Sequence, residues 1–480
     1  MISLLNTKKF QAVFFAGVFI FFLLLAAYTG ELAVIAIPFA LILFYSGFQQ
    51  INLVFYLLLF SLPVSFEYHF SDSIGTDVPA ELLMLFVSGA FVCYWIIFSR
   101  AIPKARWQHP LILFLFFSFA WAIIAVAFST QSIVSIKYLL AKSWYIGAFV
   151  IAPLIVFRQK QNLKYAALVI ASSMFLVIII ALIRHWGMGF RFIEINEAIA
   201  PFFRNHVTYA AMLVCTIPLF FAFYKLSKPR KWRVLISIAV LIMLVALFLS
   251  YSRGAWLALV AGLVTYRLIR KKILLTTYIL GIIGLLGLLF WIKSDDNYLR
   301  FANNYNKTIY HADFRQHLVA TYKLKDISTA ERFYRWIAGV RMIKDNSLTG
   351  YGPNTFYDQY KTYAIPAFRT WVSNNPDHST VHNYFLLLAT EQGIPGLIFF
   401  LALLGGMLYY AQQLYHRIRD VYYKTIAITI GAILAMIITV NFLSDLIETD
   451  KIGSIFFLCL SILIVTDINT RHEFSNKEID

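Results

Sequence analysis

The sequence predicts an all-α, polytopic membrane protein of about 12–14 transmembrane helices, with one large, partly helical loop on one side of the membrane. Three observations carry this prediction: 60% of the 480 residues are hydrophobic, only 14% are charged, and the mean hydropathy is +0.72. Soluble proteins contain about 25% charged residues. The composition therefore excludes an ordinary soluble enzyme and a disordered chain. The three cysteines lie inside apolar runs and give no disulfide framework.

Apolar runs of about 16–21 residues mark the individual spans, since about 20 helical residues cross the hydrocarbon core of a bilayer. The predicted limits are 11–28, 32–47, 51–66, 80–98, 110–128, 142–157, 165–183, 207–224, 234–250, 255–268, 273–292, 395–413, 425–443 and 452–467. Residues 32–66 could instead form one hairpin, and a short helix is expected before the span at 142–157. The first run is expected to be a signal anchor, because it lacks an A-x-A cleavage site and leads directly into more spans.

Lysine and arginine collect in alternate loops, which predicts that the N- and C-termini both lie in the cytoplasm. The inner clusters fall within 100–106, 158–164, 225–233, 267–272 and 417–424. Membrane topology thus explains much of the net charge of +17, and nucleic acid is not expected as a partner.

One long polar segment, residues 294–394, is predicted on the outer side. Residues 328–331 (STAE) have the pattern of a capping box, and apolar side chains then recur at helical spacing, which predicts an amphipathic helix over about 330–345. The predicted organisation is N-terminal spans over 1–293, the loop over 294–394, C-terminal spans over 395–467 and a cytoplasmic tail over 468–480.

Several cationic side chains are predicted at the outer boundary, against the rule that positive charge stays inside. Arg204 precedes a span, Arg253 lies in a short Ser-Arg-Gly turn, and His382 lies where the long loop re-enters the membrane. Others on this side are Lys142, Arg332 and Arg335. Each alone could snorkel to lipid headgroups or stay solvated. Together they suit a phosphate or diphosphate, since arginine offers forked donors, and a neutral histidine could take a proton from a hydroxyl.

Three motifs, in order on this side, resemble the O-antigen ligase and O-antigen polymerase superfamily. His382-Asn383, followed after nine residues by Gly393 and then by Gly396, is similar to its H-N-x9-G-x-x-G pattern and reads HNYFLLLATEQGIPGL. The sequence SRGAWLAL resembles its S-R-G turn before a span. Residues 331–356 resemble its helix and the G-Y-G stretch that follows. The resemblance covers residues 200–413.

The resemblance implies a membrane glycosyltransferase of the GT-C type in the bacterial inner membrane, with its large loop and active site facing the periplasm. It implies a glycan donor linked to undecaprenyl diphosphate, diphosphate binding by Arg204 and Arg253, and a role for His382 as base or as the group that orients the acceptor. It implies no metal and no cofactor. The sequence has no D-x-D motif at an outer boundary, no H-E-x-x-H motif and no P-loop.

Other residues receive supporting roles in this interpretation. The candidates for supporting the site are Arg332, Arg335, Lys142 and Asn383, and the glycines expected at structural turns are Gly350, Gly352, Gly393 and Gly396. Membrane lipids surround the spans, and the acceptor is either lipid A-core or a growing glycan.

Four functions remain open at this stage. The H-N pattern favours ligation of a finished O-antigen to lipid A-core. The alternatives are a repeat-unit polymerase for O-antigen or exopolysaccharide, a protein O-oligosaccharyltransferase and, from another class, a lipid-glycan transporter without enzymatic activity. A transporter should keep ionisable residues near mid-membrane, and this chain has few there.

Overall fold

A computed structural model describes residues 51–71, 74–98, 104–293, 327–365, 373–375 and 379–471. The predicted spans at 11–28 and 32–47, the capping side chains at 328–329 and the tail beyond 471 lie outside the residues or side chains that it describes. The chain divides into two compact units, residues 1–59 and 60–480. Of the first unit, the structure describes only the helical residues 51–59, and all the other described residues belong to the second unit.

The first half of the described chain is helical apart from one antiparallel hairpin. Its elements are α1 (Ile51–Val64), β1 (Phe66–Ser71), β2 (Ile74–Val78), α2 (Ala80–Phe98), α3 (Lys104–Trp107), α4 (Pro110–Ala127), α5 (Ser132–Ile146), a π-helical turn (Gly147–Ile151), α6 (Ala152–Val156), α7 (Lys160–Gly187), a 3-10 turn (Phe192–Glu194), α8 (Ile195–Ile199), α9 (His206–Leu226), α10 (Arg230–Leu249), α11 (Arg253–Arg270) and α12 (Leu274–Lys293). In the hairpin, Phe66 pairs with Val78 and Glu67 with Asp77.

The second half contains the loop helices and the last spans. Its elements are α13 (Ile327–Asp345), α14 (Phe356–Tyr363), α15 (Tyr384–Glu391), α16 (Gly393–Arg417), α17 (Val421–Phe442), a 3-10 turn (Leu446–Glu448) and α18 (Asp450–Thr470).

The predicted all-α polytopic fold is confirmed. Within the described residues, nine helices are long and apolar enough to cross a membrane. Each predicted span from 80–98 onward coincides with a helix, and the amphipathic helix predicted over 330–345 is α13, which begins three residues earlier. The prediction for 142–157 was too short: one helical segment, Ser132–Val156, runs continuously through the π turn. The hairpin was not predicted.

The core of the second unit lies along α17 and α18. Their most apolar windows are 78% and 83% buried within the protein, against 17% for α10. In α11 and α17, which run antiparallel, a Cβ on Gly254 would lie 3.7 Å from Leu443 Cδ1, and one on Gly262 would lie 2.2 Å from Met436 Cε. The start of α11 therefore lies beside the end of α17.

Ionic contacts at one end of the helices involve residues whose loops are predicted as inner. Asp467, at the end of α18, pairs with Arg417 and lies 3.4 Å from His109 Nε2. Lys160 pairs with Asp420, whose side chain also caps α17. The residues that sequence analysis proposes for function belong to the other end.

Candidate functional site

His382 occupies a strained position immediately before α15. Its backbone φ is 52°, a left-handed conformation that is uncommon for a residue with a Cβ and that persists only when neighbouring contacts hold it. Its side chain is 35% exposed, so the imidazole is reachable from outside the protein.

Asp445 is the acidic partner of this histidine. It lies in the loop 443–449 between α17 and α18, and its Oδ1 is 3.8 Å from His382 Nδ1. The Thr380 hydroxyl donates a hydrogen bond to the other carboxylate oxygen of Asp445. At this distance the carboxylate forms an ion pair with His382 whenever the imidazole is protonated.

The side chain of Asn383 fixes the backbone at the start of α15, next to His382. Its Oδ1 accepts a hydrogen bond from Leu386 N at 3.0 Å and so caps α15, and its Nδ2 donates to Phe442 O at 3.0 Å. The backbone N–H of Tyr384 donates to Ser444 O, also at 3.0 Å. These bonds tie the start of α15 to the end of α17, so Asn383 supports His382 structurally.

Arg335, on α13, is buried and also supports the backbone near His382. Its Nη1 donates to Thr380 O at 3.0 Å, and its Nη2 lies 3.4 Å from Glu331 Oε2. The neighbouring Trp336 donates from Nε1 to Val381 O at 3.0 Å. Arg332 is half-buried on the same helix.

Lys142 is buried on α5 and forms an ion pair with Glu448, at 2.9 Å between Nζ and Oε2. The Tyr138 hydroxyl donates to the other oxygen of this carboxylate at 3.3 Å. Glu448 belongs to the same short connection as Asp445. Lys142 therefore anchors the connection that carries the partner of His382.

Arg204 is 70% exposed and forms an ion pair with Glu67 of β1. Asn205 follows it and caps α9 through a bond from Thr208 N at 2.9 Å. The preceding backbone is held by Lys451, at the start of α18, which donates to Phe202 O at 2.7 Å. The loop that carries Arg204 is thus attached to the far end of the 443–449 connection.

Arg253 is the first residue of α11 and is half-buried. The turn before it is fixed by Tyr251, whose φ is 56° and whose hydroxyl donates to Phe190 O at 2.5 Å. Its neighbour Gly254 packs on Leu443, at the near end of the same connection.

Every element that carries a predicted principal residue therefore contacts residues 443–451, which we call the hub loop. None of its residues is among the predicted site residues, and the ionisable side chains missed there are Asp445, Glu448, Asp450 and Lys451. A signal was available, since four ionisable residues fall within a short turn between two apolar spans.

The glycines of the motifs join the G-Y-G stretch to the junction of α15 and α16. Gly350, Gly352 and Gly393 have φ values of 68°, 102° and 70°. A Cβ on Gly350 would lie 2.4 Å from the carbonyl carbon of Glu391, and one on Gly393 would lie 2.1 Å from Leu348 O. Only glycine fits such positions without displacing backbone.

The expectation that Gly396 lies at a turn is wrong. It lies inside α16, where a Cβ would meet Trp121 Cδ1 at 3.3 Å. Its lack of a side chain lets α4 approach, and Trp121 Nε1 donates to Gln392 O at 2.8 Å.

Glu391 is a buried acid within this junction, and sequence analysis also missed it. Its Oε1 accepts a hydrogen bond from Phe356 N at 3.0 Å. Burial raises the pKa of Glu391 from 4.5 to about 8, and the nearby Glu448 acts in the same direction. The neutral side chain of Glu391 holds the segment 350–356 in place.

A small crevice of about 50 Å³ lies next to the hub loop. Its polar lining comes from Ser118, Tyr138, Lys142, Tyr384 and Gln392, and the remainder is largely apolar. Among the residues that the structure describes, no group of three or more His, Cys, Asp or Glu side chains could hold a metal ion.

The fold and this arrangement define a multi-pass membrane protein with a polar site at one end of its helices. Residues 238–401 match the family described as O-antigen ligase. The predicted resemblance to the O-antigen ligase superfamily is confirmed over these residues, which contain α11, the described loop helices and the H-N motif. No curated protein matches the chain. The match supports a glycosyltransferase-like activity of the membrane glycan ligase or polymerase type, with lipid-linked glycan substrates.

Proposed function

We propose that this protein transfers a glycan from undecaprenyl diphosphate to an acceptor hydroxyl at the periplasmic face of the inner membrane, with O-antigen ligation to lipid A-core as the favoured reaction. The observation that carries the proposal is the hub loop. It contacts the elements of His382, Arg204 and Arg253 inside and beside an O-antigen ligase domain.

His382 and Asp445 supply the base in this reaction. The acceptor oxygen attacks the anomeric carbon and gives its proton to the imidazole, while the bond from that carbon to the diphosphate oxygen breaks. The Asp445 carboxylate, 3.8 Å from Nδ1, stabilises the imidazolium that forms.

Arg204 and Arg253 act on the leaving group. Its negative charge grows as the glycosidic bond breaks, and guanidinium groups at the membrane boundary stabilise it without a divalent ion. Arg204 is well exposed and can exchange its Glu67 carboxylate for a phosphate. Arg253 lies at the start of a helix, where backbone N–H groups also favour an anion.

The largely apolar crevice lies close to the reacting groups and, at about 50 Å³, has room for only a small hydrocarbon fragment of a lipid chain. It shares Lys142 and Tyr384 with the surroundings of the hub loop. Because Lys142 is neutralised by Glu448, the crevice suits an uncharged hydrocarbon better than a second phosphate.

Deletion of the gene and electrophoresis of the lipopolysaccharide test the function. Ligation predicts bare lipid A-core, with full-length polymer retained on the carrier lipid. Core bearing a single repeat unit would assign polymerisation instead. A normal ladder together with lost glycoproteins would favour protein O-glycosylation.

The same deletion strain also tests the transporter alternative. The protein is a transporter, and the proposal is wrong, if two results are found together: membrane vesicles from the deletion strain fail to move the lipid-linked glycan across the bilayer, and the purified protein transfers no glycan. Glycan transfer by the purified protein in detergent, where no transport is possible, would support the proposed enzymatic function.

A further inference from the structure

We infer that Trp336 and Arg335 are positioning residues, which hold His382 in its left-handed backbone conformation by binding the carbonyls of the two residues before it. This inference rests on the proposed role of His382 as base. Neither residue touches substrate in this scheme, and both act through the backbone.

The two donors lie side by side on α13. Arg335 Nη1 donates to Thr380 O and Trp336 Nε1 donates to Val381 O, each at 3.0 Å. The carbonyls of residues 380 and 381 are thus both fixed immediately before the residue with φ of 52°. Because a left-handed conformation is disfavoured for a residue with a Cβ, the segment needs such contacts to keep it.

Arg335 is itself held in place for this task. It is only 5% exposed and pairs with Glu331, which is 6% exposed and also accepts a hydrogen bond from the Ser373 hydroxyl. A buried arginine whose two Nη atoms contact Glu331 and a carbonyl is a fixed structural donor.

Trp336 also packs against the end of α17, which leads into the loop that carries Asp445. Its ring packs edge-on against Phe442, with 6.3 Å between ring centroids. The carbonyl of Phe442 accepts the hydrogen bond from Asn383 Nδ2, and the hub loop begins at the next residue. A single indole therefore touches the backbone before His382 and the residue before the loop of Asp445.

Loss of the hydrogen bond from Trp336 to Val381 O should reorient the His382 imidazole. It should leave Arg204 and Arg253, which are proposed to bind the diphosphate of the glycan donor, unchanged. Displacement of a reacting group by about 1 Å can cost about 100-fold in rate. The effect should therefore fall on kcat, with little change in the KM for the donor.

Two substitutions separate the hydrogen bond from the packing of the indole. Trp336→Phe keeps an aromatic ring and removes the donor. Trp336→His keeps an N–H near the position of Nε1 and removes the fused ring. With purified full-length protein in detergent and a lipid-diphosphate-linked glycan as donor, we expect Trp336→Phe to lower kcat about 10-fold or more with KM within about twofold. Trp336→His should retain several times more activity than Trp336→Phe.

A double variant gives an independent readout. If Trp336 acts through His382, adding Trp336→Phe to His382→Ala should leave the residual rate unchanged, because effects of residues that act as a unit are not additive. Equal activity of Trp336→Phe and Trp336→His, or a further loss in the double variant, would overturn the inference.

The outcomes distinguish this inference from the proposed function. Full activity of His382→Ala would refute the proposed site. An inactive His382→Ala with a fully active Trp336→Phe would refute only the positioning role. If Trp336→Phe does not purify as a folded protein, Arg335→Lys, which keeps a donor, is compared with Arg335→Met. Equal activity of these two would also contradict the inference.

Discussion

His382 Nδ1 lies 3.8 Å from Asp445 Oδ1, although one residue precedes α15 and the other follows α17. The pair is held by bonds on both sides: Thr380 joins its own segment to the Asp445 carboxylate, and Tyr384 N joins the start of α15 to Ser444 O. An imidazole oriented by a carboxylate is an arrangement suited to proton transfer from a hydroxyl.

The Asp445 carboxylate should matter for rate more than for folding. Asp445→Asn keeps the size of the side chain and removes the charge that stabilises protonated His382. We expect kcat to fall at least roughly tenfold. The control is Asp358→Asn, since Asp358 is an exposed acid on α14 whose carboxylate accepts a hydrogen bond from Gln131. An Asp445→Asn protein as active as this control would show that Asp445 has no part in the reaction.

Arg253 should stabilise the departing diphosphate. Removal of one charged donor of this kind costs on the order of 2–4 kcal/mol of barrier, so Arg253→Gln should lower the rate of transfer by at least about 30-fold. The matched control is Arg341→Gln, because Arg341 is an exposed arginine on α13 that donates to Tyr363 O at 3.3 Å. Rates of glycan transfer in excess EDTA complete the test. Abolition of transfer by EDTA, or parallel losses in both arginine variants, would contradict this role.

Gly393 should tolerate no side chain. Gly393→Ala would place a Cβ at φ 70° and within 2.1 Å of Leu348 O, so the apparent Tm in detergent should fall clearly. Gly89→Ala is the control, since Gly89 lies in α2 with no atom within 4 Å of its added Cβ. That substitution should be neutral or should stabilise by up to about 1 kcal/mol. Equal melting temperatures for the two variants would mean that the packing of the α15–α16 junction against Leu348 is looser than these contacts indicate.

Glu391 should make stability depend on pH. Its folded pKa of about 8 exceeds its ordinary value of 4.5, so between these values the folded protein keeps a proton that the unfolded chain has lost. Its contribution is complete below about pH 4.5 and is lost as pH rises to about 8. Melting curves from pH 4 to pH 9 should show this decline in the wild type. Glu391→Gln should lack it, whereas the exposed control Glu197→Gln should keep it. A decline unchanged in Glu391→Gln would assign it to another group.

Hydropathy and charge are enough to predict the membrane spans from residue 80 onward, because each span must bury its own backbone polar groups and present apolar side chains to lipid. The start of α15 could also be predicted from the sequence, since Asn383 is a strong capping residue after a polar stretch. The β1–β2 hairpin was not predicted. FEYHFS alternates apolar and polar residues, but it directly follows a long apolar run, IGTDV does not alternate, and Glu67 gains its partner from a distant loop.

The candidate site is only half predictable. The motifs and the cationic side chains at the outer boundary predict His382, Arg204 and Arg253, whereas Asp445 and Glu448 become important only through the fold, which brings the loop after α17 against α5 and α15. Lys142 shows the same limit. Sequence places it near the outer boundary, and only the packing shows that its charge is paired with Glu448.

The most direct test is a transfer assay with purified protein, an undecaprenyl-diphosphate-linked glycan and lipid A-core, in which both the product and the released undecaprenyl diphosphate are quantified. We predict that the wild type forms both in equal amounts and that folded His382→Ala is slower by about 100-fold or more. Transfer by His382→Ala at the wild-type rate, or no release of undecaprenyl diphosphate by the wild type with either acceptor, lipid A-core or growing glycan, would contradict the account.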